Sequence, residues 1–283
     1  MLSLLFDVFL DALLDCLKML PFLFLAFVLL EWIETHSQSI LNRLLQHKII
    51  GPLAGSVFGC IPQCGFSSLA SSLYAGGVIP LGTLLAVYLS TSDEAILIML
   101  SDPSAISSVG LLLVWKVLIG ITAGYLVNVL LWILPGSTKH VEDLCEHCHC
   151  HENHSILRSA WNHTLSLFCF LLVCSFALNL AMELVGTHAL QSLFLQGHVY
   201  QVFLTALVGL IPNCAVSILI TQLYMDGILS FGSAIAGLCS GAGVGLILLV
   251  RLNRNMKENL MIIGILYGIA VIAGILASLV MAG

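Results

Sequence analysis

One segment of this chain is written twice without a gap, 150 residues apart, and both copies break an apolar run at the same place. From Gly59 it reads GCIPQCGFSSLASSLYAGGVIPLGTLLAVYLS, and from Gly209 GLIPNCAVSILITQLYMDGILSFGSAIAGLCS. Gly59, Ile61, Pro62, Cys64, Ser67, Leu69, Leu73, Tyr74, Gly77, Gly82, Ala86 and Ser90 recur as Gly209, Ile211, Pro212, Cys214, Ser217, Leu219, Leu223, Tyr224, Gly227, Gly232, Ala236 and Ser240. Proline inside a helix removes a hydrogen bond and disrupts the preceding turn. Apolar segments interrupted at matching places in two halves point to a repeat-built membrane protein with its binding site at the breaks.

Composition sets the solvent. The chain is 59% hydrophobic and 8% charged, against roughly 25% charged for a soluble domain. Several apolar runs exceed the ~18 residues that mark a membrane helix. Met1–Ile33 has no basic leader and no small-residue cleavage site, so it reads as a spanning segment and not as a cleavable signal. The net charge of −6 comes partly from one acidic, His-rich loop, and the scattered Lys and Arg exclude a nucleic-acid partner. Of the ten cysteines, Cys16, Cys169, Cys174 and Cys239 sit in apolar segments as small hydrophobes. Cys60, Cys64 and Cys214 belong to the repeat, and Cys145, Cys148 and Cys150 crowd among histidines.

The same plan runs through both halves. Leu10–Glu34 and Trp161–Val185 span; Ile49–Tyr74 and Tyr200–Tyr224 are broken at Pro62 and Pro212. Val78–Leu100 and the Gly-rich Ile228–Val250 follow, and Val109–Leu134 and Asn259–Met281 close the halves. Residues 1–135 form the first membrane repeat, 136–158 a His/Cys-rich loop and 159–283 the second repeat. Basic residues accumulate in cytoplasmic loops. Arg43 and Lys48 precede the first broken segment, whereas Arg251, Arg254 and Lys257 precede the last helix. The equivalent loops, Gly186–Gly197 and Ser101–Ser107, have no Lys or Arg. The bias swaps sides, as an inverted repeat predicts. The expected fold is an all-α polytopic protein with an inverted repeat and about 8–10 membrane segments. Ile49–Tyr74 and Tyr200–Tyr224 become re-entrant hairpins or pairs of short helices, both termini lie outside, and the His/Cys loop lies in the cytoplasm.

Four groups of residues carry chemistry. The first is the broken repeat: Cys60, Pro62, Gln63, Cys64, Ser67 and Ser90, with Pro212, Asn213, Cys214 and Ser217 in the second copy. The breaks free carbonyls that protein, water or substrate must satisfy, and Gln63 and Asn213 add amides. The alternative is a pair of proline kinks with cysteines as packing residues. The second group is Asp93 and Glu94, in the run Ser90-Thr91-Ser92-Asp93-Glu94. Carboxylates deep in an apolar segment mark ion pathways or proton relays; at a helix end near the interface they would only be solvated. The second half has Gly241-Ala242-Gly243-Val244 there. The third is the loop holding Cys145, His147, Cys148, His149, Cys150 and His151, whose thiols and imidazoles suit zinc, copper or nickel. It reads as a tethered metal donor or as an adventitious low-complexity stretch. The fourth is Lys116, read as snorkelling or pairing with a carboxylate.

No GxxxxGK[ST] loop, Ser/His/Asp arrangement or HExxH occurs, so neither a nucleotide motor nor an enzyme is expected. The residues Gly59-Cys60-Ile61-Pro62-Gln63-Cys64-Gly65, Gly77-Val78-Ile79-Pro80-Leu81-Gly82 and Ile211-Pro212-Asn213-Cys214 resemble those of the ten-helix heavy-metal exporters, also labelled manganese transporters. The opening DALLDCLKMLPFLFLAFVLLEWIE and the His-rich loop fit the same family. More distantly the chain is similar to organoarsenical and YraQ-like permeases, which carry Cys-Ser-Cys where this chain has Gln63-Cys64-Gly65. The resemblance implies a secondary transporter in the inner (plasma) membrane that exports a divalent metal, manganese first; Asp93 and Glu94, read as carboxylates in an apolar segment, would couple it to protons. A hard ion would take those carboxylates, Gln63, Asn213 and carbonyls; a soft one would take Cys60, Cys64 and Cys214. Alternatives are an organoarsenical permease, a non-transporting metal sensor and an anion exporter. The expected partners are the lipid bilayer and the metal ion, with room for a homodimer and no resident cofactor.

Overall fold

The computed structural model describes residues 50–60, 64–91, 95–101, 106–133 and 198–282, together with short helical pieces inside 6–28 and 161–180. Among the described residues there is no strand, and ten helices have defined ends. The first five are α1 (Ile50–Gly59), α2 (Cys64–Ala75), α3 (Leu81–Ser90), α4 (Ala95–Ser101) and α5 (Ile106–Ile133). The second five are α6 (His198–Gly209), α7 (Cys214–Met225), α8 (Phe231–Ser240), α9 (Val244–Leu252) and α10 (Met256–Ala282). Four short helices and a long one follow in the same order twice, in one register: Cys64 with Cys214, Leu81 with Phe231, Ile106 with Met256.

Close approaches fix the directions within each half. Beta carbons on Gly55 and Gly59 would meet Val87 Cγ2 at 3.2 Å and the Val87 carbonyl oxygen at 2.8 Å, and Gly51 faces Thr83. So α1 and α3 run parallel, side by side. A Cβ on Gly124 would lie 2.8 Å from the Gly82 carbonyl oxygen and 3.1 Å from Ala86 Cβ, while Asn128 Oδ1 accepts from the Gly82 N–H at 3.1 Å. Thus α5 returns antiparallel to α3. The second half repeats both contacts: Gly237 meets Thr205 on α6, and a Cβ on Gly274 of α10 would sit 2.6 Å from the Gly232 carbonyl oxygen. Small residues let helix backbones approach in this way where lipid gives no hydrophobic drive for association.

The turn joining α2 to α3 explains much of the repeated signature. Gly77 N–H donates to the Tyr74 carbonyl, and the N–H groups of Val78 and Ile79 both donate to the Leu73 carbonyl. Gly227, Ile228 and Leu229 do the same with Tyr224 and Leu223. Gly77 and Gly227 have φ of 69° and 73°, the left-handed conformation of a glycine helix C-cap.

Three segments of the described chain are long and apolar enough to cross a membrane: Ser108–Leu131, Phe231–Leu252 and Met256–Met281. Phe231–Leu252 is the α8–α9 pair, and it is almost wholly enclosed by protein. The outer face of α5 carries Leu111, Val114, Leu118, Leu126 and Val129, as apolar as the inner face with Leu112, Ile119 and Val127. A helix with no polar side belongs in lipid. Several buried hydroxyls return to their own helices: Ser72, Thr91, Thr205 and Thr221 each bond the carbonyl four residues back. That satisfies polar groups where water is absent.

The halves share one core. Leu84, Leu85, Tyr88 and Leu89 of α3 join Ile220 and Leu223 of α7 and Leu266 of α10 in a single cluster. The helices α2 and α9 pack against each other extensively, and α7 packs against α4, so each half lends its second helix to the other. Gly245 makes the first contact possible, because a Cβ there would lie 2.8 Å from Ser67 Cβ. In the same crossing Ser71 Oγ sits 2.8 Å from the Gly245 carbonyl oxygen and 2.7 Å from the Tyr88 hydroxyl.

Candidate functional site

Both halves are broken a second time at the level where α3 and α8 end. After α8 the chain turns at Gly241, Ala242 and Gly243, and Gly243 has φ 53° and ψ −142°, a conformation essentially confined to glycine. After α3 it turns at Thr91, whose φ of −58° and ψ of 129° leave the helix. A helix C-terminus leaves up to four carbonyl oxygens without intrahelical partners, and these carry the negative end of the helix dipole.

The side chain that meets these carbonyls is Lys116. It projects from the middle of α5 and is wholly buried. Its ammonium donates to the Thr91 carbonyl oxygen at the end of α3, and to the Leu238 carbonyl oxygen in the last turn of α8 at 2.7 Å. One nitrogen thus joins the broken ends of equivalent helices from the two halves. The ammonium also acts electrostatically on the thiols of Cys60 and Cys239. Cys60 opens the break that follows α1, and Cys239 follows Leu238. Burying an ammonium costs several kcal/mol even after the protein relaxes, and the hydrogen bonds to these carbonyls offset that cost. Of the two sequence readings of Lys116, snorkelling does not occur, because full burial keeps the amine away from any interface; pairing with a carboxylate falls outside the described residues. The equivalent position in α10 is Leu266, also buried.

An aromatic contact also joins the halves at the start of α8. Trp115, beside Lys116, packs edge-on against Phe231 at 6.5 Å, and Tyr224 meets the same ring at 6.0 Å. At one end of the molecule the Tyr74 hydroxyl donates to Glu258 Oε1, linking α2 to the start of α10. Among the described residues Tyr224, the repeat partner of Tyr74, has no such bond.

The sequence candidates distribute as follows. Cys60 is a half-buried free thiol. Ser90 Oγ bonds the Ala86 carbonyl at 2.8 Å and packs on Gly59, as Ser240 packs on Gly209, so in both halves the first break and the second lie side by side. Ser67 is buried at the α2–α9 crossing, and Ser217 is buried on α7 with its carbonyl accepting from Thr221. Asn213 is buried and extended, with φ −142° and ψ 133°, and its Oδ1 accepts from Ala215 N–H at 2.8 Å. It therefore caps α7, directly after the partly buried Pro212. Cys64 and Cys214 open α2 and α7. Pro62, Gln63, Asp93 and Glu94 lie outside the described residues, as do Cys145, His147, Cys148, His149, Cys150 and His151. Among the described residues no three His, Cys, Asp or Glu side chains converge.

Sequence reasoning missed the bridging role of Lys116 and the Tyr74–Glu258 bond. The signal for the first was present: one cation in mid-span of an otherwise uncharged helix. For the second there was none, because Glu258 reads as an ordinary first-turn acid.

A family model described as "putative, 10TM heavy-metal exporter" matches residues 2–186 and again residues 164–282. No curated protein and no solved structure matches the chain.

Proposed function

The chain belongs to the family described as putative 10TM heavy-metal exporters, and from that premise we propose that it is a secondary transporter carrying a divalent transition metal, manganese first, out of the cell. The observation that carries this reading, beside the family, is the meeting of freed carbonyls from both halves around a buried cation. Carbonyl oxygens suit a hard divalent ion. In this reading the breaks at Pro62–Cys64 and Pro212–Cys214 form the walls of the site. Asp93 and Glu94, which follow Thr91 and Ser92 in the chain, supply its negative charge and couple transport to protons. The His/Cys loop delivers or senses metal on the cytoplasmic side.

We read the repeat as inverted. Three observations support this. Phe9 packs on Phe176 and Phe24 on Trp161, so the first segments of the two halves run antiparallel. The end of the molecule where α1 and α3 begin also holds the α2–α3 turn, and Tyr74 beside that turn bonds Glu258. The Arg251–Lys257 connection thus comes to the end where α1 begins, and Lys48 shortly precedes α1 in the sequence, as a shared cytoplasmic face requires. The third observation is length. Helices of ten or twelve residues reach only about 15–18 Å, half the ~30 Å hydrocarbon core. Because α1 and α3 are parallel, α1 with α2 makes a re-entrant hairpin, α3 with α4 a broken span and α5 a full one.

The test is the elemental content of cells lacking or overproducing the protein, measured across many metals at once. Manganese should rise on deletion and fall on overproduction; no change in any metal would refute metal export. A Cys64→Ser, Cys214→Ser double variant separates the arsenical alternative. Manganese export should survive it, whereas an organoarsenical permease would lose its resistance phenotype.

A further inference from the structure

The fold places a cation at the junction before any substrate arrives. The Lys116 ammonium contacts two backbone carbonyls, one at the end of α3 and one in the last turn of α8. Neither acceptor is on Lys116's own helix, and they come from opposite halves. The repeat does not require it, since α10 has Leu266 at the equivalent position. The acceptors themselves arise from the two breaks, which both halves have. The first half has therefore added a tethered cation to a junction that the architecture makes attractive to cations.

We propose that the Lys116 ammonium occupies the substrate's cation position in the empty protein, and that an entering divalent ion competes with it for the Thr91 and Leu238 carbonyl oxygens. This inference rests on the metal-export reading for the identity of the competitor, but the cation position itself does not. Occupied by Lys116, the junction holds α3 and α8 together. Occupied by a metal ion, it lets the ammonium withdraw, and the link between the halves passes to the substrate. Lys116 is then a positioning residue that resets the site after each release. It also weakens apparent metal affinity in the resting protein, because a site filled by its own side chain is only fractionally competent.

Two variants of the full-length protein test this. In purified Lys116→Ala, ethylammonium should raise the unfolding temperature saturably, whereas ethanol at the same concentration should not. Equal effects of both, or none from either, would overturn the cation position. In Lys116→Gln, whose amide can still donate to a carbonyl, Mn²⁺ measured by calorimetry should bind about tenfold tighter than in the wild type, while turnover in proteoliposomes falls. Unchanged or weaker binding by the folded variant would overturn the competition. If ethylammonium stabilises the Ala variant but no divalent ion binds any form, the metal-export reading fails and the cation position stands. Should neither variant fold, the wild type answers. Mn²⁺ should increase reductive methylation of Lys116, read by mass spectrometry, and an unchanged extent would overturn the proposal.

Discussion

Gly227 and Gly274 are both glycine for different reasons, and substitution separates them. Gly227 has φ of 73° with nothing within 4 Å of an added Cβ, so only its backbone conformation opposes a side chain. Gly227→Ala should cost about 1–2 kcal/mol, the left-handed penalty for an L-residue. A Cβ on Gly274 would lie 2.6 Å from Ala236 Cβ and 2.9 Å from Val202 Cγ1, so α10 would have to leave both α8 and α6. Gly274→Ala should lower the unfolding temperature in detergent further than Gly227→Ala, and the reverse order would contradict the close crossing. Asn213 gives a second residue-scale prediction. Its Oδ1 caps α7, a role serine performs nearly as well. Asn213→Ser should therefore keep its unfolding temperature but lower metal flux in proteoliposomes, because the site reading gives the amide oxygen's second lone pair to the ion and a hydroxyl is the weaker ligand. Flux equal to wild type would restrict Asn213 to capping.

The breaks belong to the scale of the helix, and they are made in two ways. Pro212 and its capping neighbour Asn213 interrupt α6 and α7, whereas Gly243 interrupts α8 and α9 through a backbone conformation. Gly243→Ala should cost about 1–3 kcal/mol and reduce transport by shifting the end of α8, where Leu238 meets Lys116. A thermal melt beside a flux assay checks both effects. The proline breaks were plain in the sequence, and so was the repeat around them. Leu73, Tyr74 and Gly77 recur as Leu223, Tyr224 and Gly227 because they build the same C-cap. Further out the identities vanish. Residues 50–58 share none with 200–208, yet α1 packs on α3 as α6 packs on α8. Close packing needs only some small residue on one side of each contact, and Gly51 and Gly55 in one half give way to Gln201 and Thr205 in the other. The junction at Lys116 was half legible for a related reason. A lone lysine in an apolar helix announces a buried partner, but the two partners found among the described residues are backbone carbonyls, which every residue has.

At the scale of the whole molecule the halves are interleaved, with α2 packed on α9 and α7 on α4. They are alike in plan and unequal in their fastenings. Among the described residues Tyr74 bonds Glu258 at one end, whereas its repeat partner Tyr224 packs against Phe231 and makes no such bond. Tyr74→Phe should leave the fold intact and make the Arg251–Lys257 end easier to open. Hydrogen exchange at residues 251–258 should quicken in the variant, and an unchanged rate would remove any gating role from the bond. The inequality has a consequence for how such a protein spends its time. Two ends with identical fastenings would open equally often, and the direction of net movement would rest on the gradients alone. If the staple at Tyr74 has no counterpart at the other end, as among the described residues, an idle transporter of this plan would rest closed at the stapled end. Traffic through it then starts from a standing bias, which a single hydroxyl group sets.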